Sequence, residues 1–385
     1  MRKRILLFSV LGLSILSTNG VTAQTSTVYP RTTAVPFLRI AADARSSGMG
    51  DMGLATTPDA NSGFWNLAKS TFSENKTGIG FTYAPWLRAL GLNDVYLATL
   101  GFNTKLNDGR SAIGAGIRYF SLGNIQFTDA NGNNLNQFTP REMAFDFGYA
   151  IKLSDRLSLG VALRYINSNL ASGTFGGVTY KAGNAIAGDI SLYYDGVTEQ
   201  NGGGFAWGIA LSNLGSKMGY TNDNQNKDYL PANFGAGFRY TYVIDEANKI
   251  HLGLEVNKLM VPAPPSDSGD TTTNINAMAE YRSQSVISSW GKSFSDGGGF
   301  VKSLQFSLGA EYSYADQFFA RLGYFGESEI EGNRKYFTAG VGIKYNVMDF
   351  NFSYLIPSGS GVTQSPLANT LRFGISFNLE PEETK

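Results

Sequence analysis

Ile250-His-Leu-Gly-Leu-Glu-Val-Asn257 alternates at every step: Ile250, Leu252, Leu254 and Val256 fall on one side, His251, Gly253, Glu255 and Asn257 on the other. A strand sends successive side chains to opposite faces, so this period of two reads as a strand between unlike environments. The rule holds outward from there. Leu304, Phe306, Leu308, Ala310 and Tyr312 oppose Gln305, Ser307, Gly309, Glu311 and Ser313. Leu371, Phe373, Ile375 and Phe377 oppose Arg372, Gly374, Ser376 and Asn378. Met143–Ile151, Leu157–Tyr165, Phe234–Tyr242, Phe337–Tyr345 and Phe350–Ile356 alternate likewise. Gly78–Ala84, Val95–Thr104, Ile113–Phe120, Ile186–Tyr194, Phe205–Leu214 and Phe318–Phe325 do so more weakly, which brings the strands to fourteen. Bacterial transmembrane barrels have an even number.

The connections give a second signal. Each odd-numbered connection is longer than the even-numbered one after it, with tight turns at Asn107-Asp108-Gly109, Ser154-Asp155-Arg156 and Val347-Met348. Outer-membrane barrels have short periplasmic turns and long external loops. The pattern predicts an all-β, 14-stranded antiparallel transmembrane barrel with both termini periplasmic and the long loops outside.

Composition agrees. The 385 residues include 46 glycines, 13% aromatics and only 16% charged residues. Equal numbers of basic and acidic residues, 31 of each, argue against a nucleic-acid partner, which calls for a basic surplus. The lack of cysteine excludes disulfides, thiolate metal sites and cysteine nucleophiles. A single histidine leaves no multi-histidine metal centre, so no cofactor is expected. A mean hydropathy of −0.14 is too polar for a helical membrane protein, yet suits a barrel set in outer-membrane lipid with a polar interior.

Arg2, Lys3 and Arg4, the apolar run Ile5–Leu16 and the small residues Val21-Thr22-Ala23 read as a signal peptide over residues 1–23, removed before Gln24. Residues 24–76 do not alternate. Their Gly, Ala and Asp, with Phe37, Leu38, Ile40, Phe64 and Trp65, read as a plug folded into the lumen, because those apolar groups are ill placed in water. The barrel follows over residues 77–385.

Four strands repeat one design: Gly114–Tyr119, Gly160–Tyr165, Gly235–Tyr240 and Gly340–Tyr345 each carry a base just before a tyrosine. The alternation points Arg118, Arg164, Arg239 and Lys344 inward, with Arg321, Arg372 and His251. On the lipid face an Arg or Lys would cost ~2–4 kcal/mol at the midplane. Such bases either pair with Asp146, Asp189, Glu255 and Glu311 in a lumen network or serve a substrate.

The plug's core runs Ala42-Asp-Ala-Arg-Ser-Ser-Gly-Met-Gly-Asp-Met-Gly-Leu-Ala-Thr-Thr-Pro-Asp-Ala-Asn-Ser62, followed by Trp65-Asn-Leu-Ala-Lys69. Asp43, Arg45, Gly48, Gly50, Asp51, Asn61, Trp65 and Asn66 are its distinctive members. This stretch closely resembles the PorV family, outer-membrane shuttle proteins of the type IX secretion system related to the FadL long-chain fatty acid transporters. The family usually carries Asn-Pro-Ala where this chain has Asn66-Leu67-Ala68. The resemblance implies a place in the outer membrane of a Gram-negative, Bacteroidetes-type bacterium. It implies as partners a large translocon protein, the C-terminal domains of secreted cargo and a sortase-like attachment complex.

No enzyme motif appears: there is no G-x-S-x-G, no Walker motif and no H-E-x-x-H. A Ser-His-acid arrangement would have to use His251, which alternates onto the lumen side. Asp129–Asn134 and Asn222–Asp228 are oxygen-rich, but the first has Gly132 at its fourth position and no closing Glu, so both read as solvated loops. Glu327, Glu329 and Glu331 read as a solvated acidic loop. The connection from Leu259 to Lys302 stands apart by its 44 residues. It opens with Pro262, Pro264 and Pro265, passes a polar Asp267–Thr273 and then offers Ile275, Met278, Tyr281, Val286, Ile287 and Trp290. These groups either pack over the barrel mouth or bind a partner, with Tyr281 and Trp290 the natural anchors. Two functions fit: a non-enzymatic carrier that takes cargo from translocon to attachment complex, or a FadL-like transporter of hydrophobic small molecules.

Overall fold

The computed structural model describes residues 30–381 apart from 89–90, 129–130, 176, 198–201, 224–225, 297–298 and 358–369. The expected signal peptide, the processing site before Gln24, Asp129 and part of the 222–228 loop lie outside the described residues. The strands are β1 (Asn75–Pro85), β2 (Val95–Lys105), β3 (Ser111–Leu122), β4 (Ile125–Thr128), β5 (Asn134–Phe138) and β6 (Arg141–Lys152). They continue with β7 (Leu157–Asn169), β8 (Gly173–Phe175), β9 (Val178–Tyr180), β10 (Gly183–Asp195), β11 (Gly204–Gly215) and β12 (Asn233–Val243). The last six are β13 (Asn248–Leu259), β14 (Leu304–Tyr314), β15 (Phe318–Glu327), β16 (Lys335–Tyr345), β17 (Met348–Pro357) and β18 (Leu371–Pro381). All but β4, β5, β8 and β9 join one closed antiparallel barrel of fourteen strands, in which β1 pairs with both β2 and β18.

Alternation sets the two faces. Phe147, Leu163 and Ile186 leave 64–68% of their surface open on the outside, where lipid would replace water, and Tyr240, Tyr242, Tyr312, Tyr314 and Tyr345 are also exposed. Their inward neighbours are buried, Arg118, Arg164, Arg239, Glu255, Glu311, Arg321 and Arg372 among them. Period-two alternation carries no information about the connections, and there the structure adds elements. The hairpins β4–β5 and β8–β9 rise from two of the long connections. The 44-residue connection holds α2 (Thr271–Ser283) and α3 (Val286–Lys292). Each helix begins at a capping side chain: Asp270 accepts from the Thr273 amide at 2.7 Å, and Ser285 from the Ser288 amide at 3.2 Å.

The plug lies inside the lumen. Short 3₁₀ turns at Pro36–Arg39, Ser62–Phe64 and Leu67–Phe72 and the single turn α1 (Ala44–Ser47) carry it past the barrel wall. Glycines in the wall mark its path. A Cβ on Gly208 would stand 2.1 Å from the Leu54 carbonyl oxygen, and one on Gly323 2.1 Å from the Gly50 nitrogen. At Gly160 it would meet the Ala68 nitrogen at 2.7 Å, and at Gly101 the Ala60 carbonyl at 2.8 Å. These strands lack side chains where the plug backbone lies against them.

The plug also settles where its ends lie. It joins β1 at the short-turn rim, where Lys105 donates to the Ser73 carbonyl at 2.7 Å. Its other end reaches the long-loop rim, where Arg31 meets Asp296 and Glu331 and the Ala34 amide donates to the Tyr229 carbonyl at 2.9 Å. The described chain therefore begins at the long-loop rim, while β18 runs to the short-turn rim, its Pro381 opposite Asn75. The physical reason is that the plug runs the length of the lumen before β1 begins.

Gly208→Val should push the plug off the wall and destabilise the folded barrel by at least ~1–3 kcal/mol. Gly291→Ala, with no heavy atom within 4 Å of the added carbon, should be neutral. Denaturant unfolding in detergent checks both, and equal midpoints would contradict the assignment.

Candidate functional site

Two regions gather the residues singled out from the sequence: the plug with the charges around it, and a cap over the long-loop rim.

In the plug, Asp43 caps α1 by accepting from the Ser46 amide at 2.8 Å, and its other oxygen takes the Trp65 indole N–H at 2.7 Å. One side chain thus fixes both a turn and the ring twenty-two residues on. Arg45 reaches Glu311 of β14 at 2.8 Å and Asp59 at 3.2 Å. Gly48 lies against Gly340, and Gly50, with φ of +73°, donates its amide to Thr338 Oγ1 at 2.8 Å. Asp51 accepts from the Tyr336 hydroxyl at 2.6 Å, and Asn61 sits beside Gly80 and Gly101. Asn66 donates to the Leu54 carbonyl at 3.0 Å and the Leu192 carbonyl at 2.9 Å. Leu67, in the position of the family's proline, is buried with its methyls over Gly114 and Gly148.

The wall charges divide in two. Arg164 pairs with Asp146 and with Asp189 at 2.9 Å, and Arg321 donates at 2.5 Å to Glu311 Oε2, which also accepts from Arg45 Nε at 3.1 Å. The others turn to the plug's backbone. Arg118 donates to the carbonyls of Leu38 (3.3 Å) and Phe64 (3.1 Å), and Arg239 to that of Ala55 (3.0 Å). Glu255 accepts the amides of Gly53 and Leu54 at 2.9 and 2.8 Å, and Arg372 donates to the Ser47 hydroxyl. His251 Nδ1 lies 2.9 Å from Thr241 Oγ1, and with Lys344 it lines a polar cavity of about 270 Å³ on the short-turn side of the plug. No cluster of His, Cys, Asp and Glu able to hold a metal ion is present among the described residues.

Above Arg118 the chain itself forms an apolar cluster, beside the buried pair Glu142 and Ser168. Val35, Phe37 and Leu38 of the plug pack with Leu97, Phe120, Ile166, Met218 and Leu230. Phe37 stacks on Phe120 with centroids 6.3 Å apart.

The cap is built on Tyr229. Its hydroxyl donates to the Tyr281 carbonyl at 2.8 Å and accepts from Ser289 at 3.0 Å, and its ring meets Tyr281 edge-on at 5.4 Å. Tyr281, Met278, Leu259 and Val261 close an apolar cluster around it, and burial raises the Tyr281 phenol pKa. Lys217 lies over the Tyr229 ring and donates to the carbonyls of Arg282 and Gln284 at 2.6 and 2.5 Å. Pro262 is buried, while Pro264, Pro265, Val286 and Trp290 are half-buried. Ile275 and Ile287 point outward, 63% and 77% exposed. Of the two anchors expected from the sequence, Tyr281 therefore holds the cap together from within, and the open apolar groups of the connection include Ile275, Ile287, Phe300 and Val301.

The acidic connection after β15 differs from its sequence reading. Glu327 and Glu331 are buried. Glu327 takes Arg334 at 2.7 and 2.8 Å and Glu331 takes Arg31, pairings that need bases brought in by the fold. Lys69 was likewise missed as a site residue; it donates to the Gly53 carbonyl (2.6 Å) and Thr56 (2.9 Å) and closes the plug's tightest loop.

A family model described as "Type IX secretion system protein PorV" matches residues 22–266. No curated protein sequence matches the chain. Among solved structures, the CymD monoaromatic hydrocarbon channel aligns with a TM-score of 0.51 at 12% identity over 88% of this chain and 98% of that one. The Ralstonia pickettii toluene transporter TbuX gives 0.48 at 12% over 87% and 96%, and a Pseudomonas aeruginosa FadL homologue 0.47 at 10% over 88% and 98%. At 12% identity the likeness to CymD is one of fold.

Replacing Glu311 by Gln leaves the buried Arg321 without its carboxylate and Arg45 with Asp59 as its remaining one, and should cost roughly 3–5 kcal/mol of stability. Removing Arg45 as well, by Arg45→Met, should cost less than the sum of the single changes, with a coupling above about 0.5 kcal/mol. Unfolding midpoints of the four proteins check this; strict additivity would show that plug and wall are not joined there.

Proposed function

The chain belongs to the PorV family of the type IX secretion system, and from that premise we propose that it is a non-enzymatic protein-secretion component of the outer membrane. In this reading it binds secreted cargo by the cargo's C-terminal signal domain at the translocon. It then carries that cargo to the sortase-like attachment complex at the cell surface, with the long-loop rim outside.

One observation carries the choice: the apolar outer part of the lumen is filled by the plug, and the cavity of about 270 Å³ that remains below is lined by charged side chains. A conduit for small molecules needs an open apolar pocket with a way in. Here the apolar outer half is taken up by Val35, Phe37 and Leu38, and the level below it by the Arg118, Glu255 and Arg239 contacts to the plug. That favours a closed platform over a FadL-like transporter. A platform presents its surface, and the cap offers Ile275 and Ile287 to a protein partner while Tyr281 and Tyr229 keep the helices in place. Exposed apolar anchors of this kind contribute most of the binding energy at an interface.

Ile275→Asp combined with Ile287→Asp should cut recovery of cargo and translocon in a pull-down by about tenfold or more, at ~1 kcal/mol or more for each anchor. Heat-modifiability on gels should stay that of a folded barrel. Undiminished recovery would remove α2 and α3 from the interface, and loss of hydrophobic solute uptake instead would favour the transporter.

A further inference from the structure

The amino-terminal end of the plug is strapped to the cap under strain. Arg31, its side chain 2% exposed, donates to Asp296 Oδ1 at 2.5 Å and to Glu331. The other Asp296 oxygen accepts the Ala263 amide at 2.8 Å, at the start of the connection that carries α2 and α3. Three parts distant in sequence therefore meet at one guanidinium: the plug's end, the long connection and the β15–β16 connection. Three residues on, the Ala34 amide is bonded to the Tyr229 carbonyl, the residue on which the cap is built. Between this tether and the ring of Phe37 lies Val35, fully buried at φ 48° and ψ 53°. A β-branched residue in the left-handed region is a genuine outlier, and such a conformation persists only where its surroundings hold it.

We infer that residues 30–40 form a strap, latched by Arg31 to Asp296 and Glu331, whose release lets the backbone relax at Val35 and uncovers the apolar outer lumen. The device rests on these contacts alone and not on the secretion reading. Its consequence is directional. A movement of the long connection that separates Asp296 from Arg31 removes the buried partner of a charge and the restraint on a strained residue together. The Phe37 and Leu38 side chains, held by packing alone, then have one fewer reason to stay. The short-turn half of the plug keeps its own anchors, Lys105 on the Ser73 carbonyl and Asn66 on the Leu192 carbonyl. Release is therefore local to the outer half.

The absence of native cysteine makes single-cysteine reporters clean. Ala34→Cys is placed in the folded, detergent-purified full chain, and its rate of reaction with a membrane-impermeant maleimide is compared with and without Arg31→Ala. The latch predicts an acceleration of at least about tenfold, as expected when local opening is eased without global unfolding. Asp296→Asn and Glu331→Gln should each give a smaller acceleration, and they serve as the test if Arg31→Ala fails to fold. Ser73→Cys, at the short-turn end, should react at the same slow rate in every background. Adding Val35→Gly to Arg31→Ala should bring the rate part of the way back, because glycine accepts that backbone without strain. An unchanged Ala34→Cys rate in the folded variants would overturn the latch. An equal rise at Ser73→Cys would overturn the strap as a separate device.

Discussion

A length of backbone whose only regular structure is a few single turns sits at membrane depth, and that constraint shapes the inner wall. Groups left unpaired there cost several kcal/mol each, so such backbone survives only where protein or water supplies partners. The barrel supplies them. Arg118 and Arg239 donate to plug carbonyls, Glu255 accepts two consecutive plug amides, and Thr99 donates to the Ala42 carbonyl at 2.7 Å. Wall glycines let the two backbones approach closely enough for those bonds to form. Charges that would be a burden in an empty barrel are what seat the plug.

The barrel was legible because its two faces meet different surroundings. Ile250–Asn257 alternates since Leu252 and Leu254 face outward while Glu255 must reach the plug, and no other period satisfies both. Which residues point inward was legible too, but not which base takes which acid: that Arg164 meets Asp146 and Asp189, and Arg321 meets Glu311, depends on the register between strands. The partners of Arg118, Arg239 and Glu255 were not legible either, because they are backbone atoms and backbone has no signature in a sequence. Glu327 and Glu331 resemble any solvated acidic loop until Arg334 and Arg31 are brought to them. The helices of the long connection were hidden for a different reason: Thr271–Ser283 has no apolar stripe, and only Met278 and Tyr281 of it pack against the cluster around Tyr229.

Function was legible at the level of the family and not of the contact. The Ala42–Lys69 stretch carried the resemblance to PorV because its glycines, Asp43, Arg45 and Asn66 each answer a geometric demand of the plug. Over the long-loop rim the residues that pack inward, Tyr229 and Tyr281, answer such a demand, whereas the outward Ile275 and Ile287 do not. That difference explains why the same chain announces its architecture most plainly in the interior.

The route of the plug has a consequence for how the molecule comes into being. Its amino-terminal end lies at one rim, its carboxyl end runs directly into β1 at the other, and β1 closes the cylinder against β18, Asn75 opposite Pro381. That seam joins stretches from near the two ends of the chain, so it is the pairing with the largest loop to close and is expected to come late. Segment 30–73 is made early in synthesis, and after the seam has zipped it could enter only by threading Trp65 and Phe37 through a finished cylinder. The polypeptide is therefore built around its own first segment, as a mould is closed around an insert, and the chronology of assembly is written into the position of one strand pair.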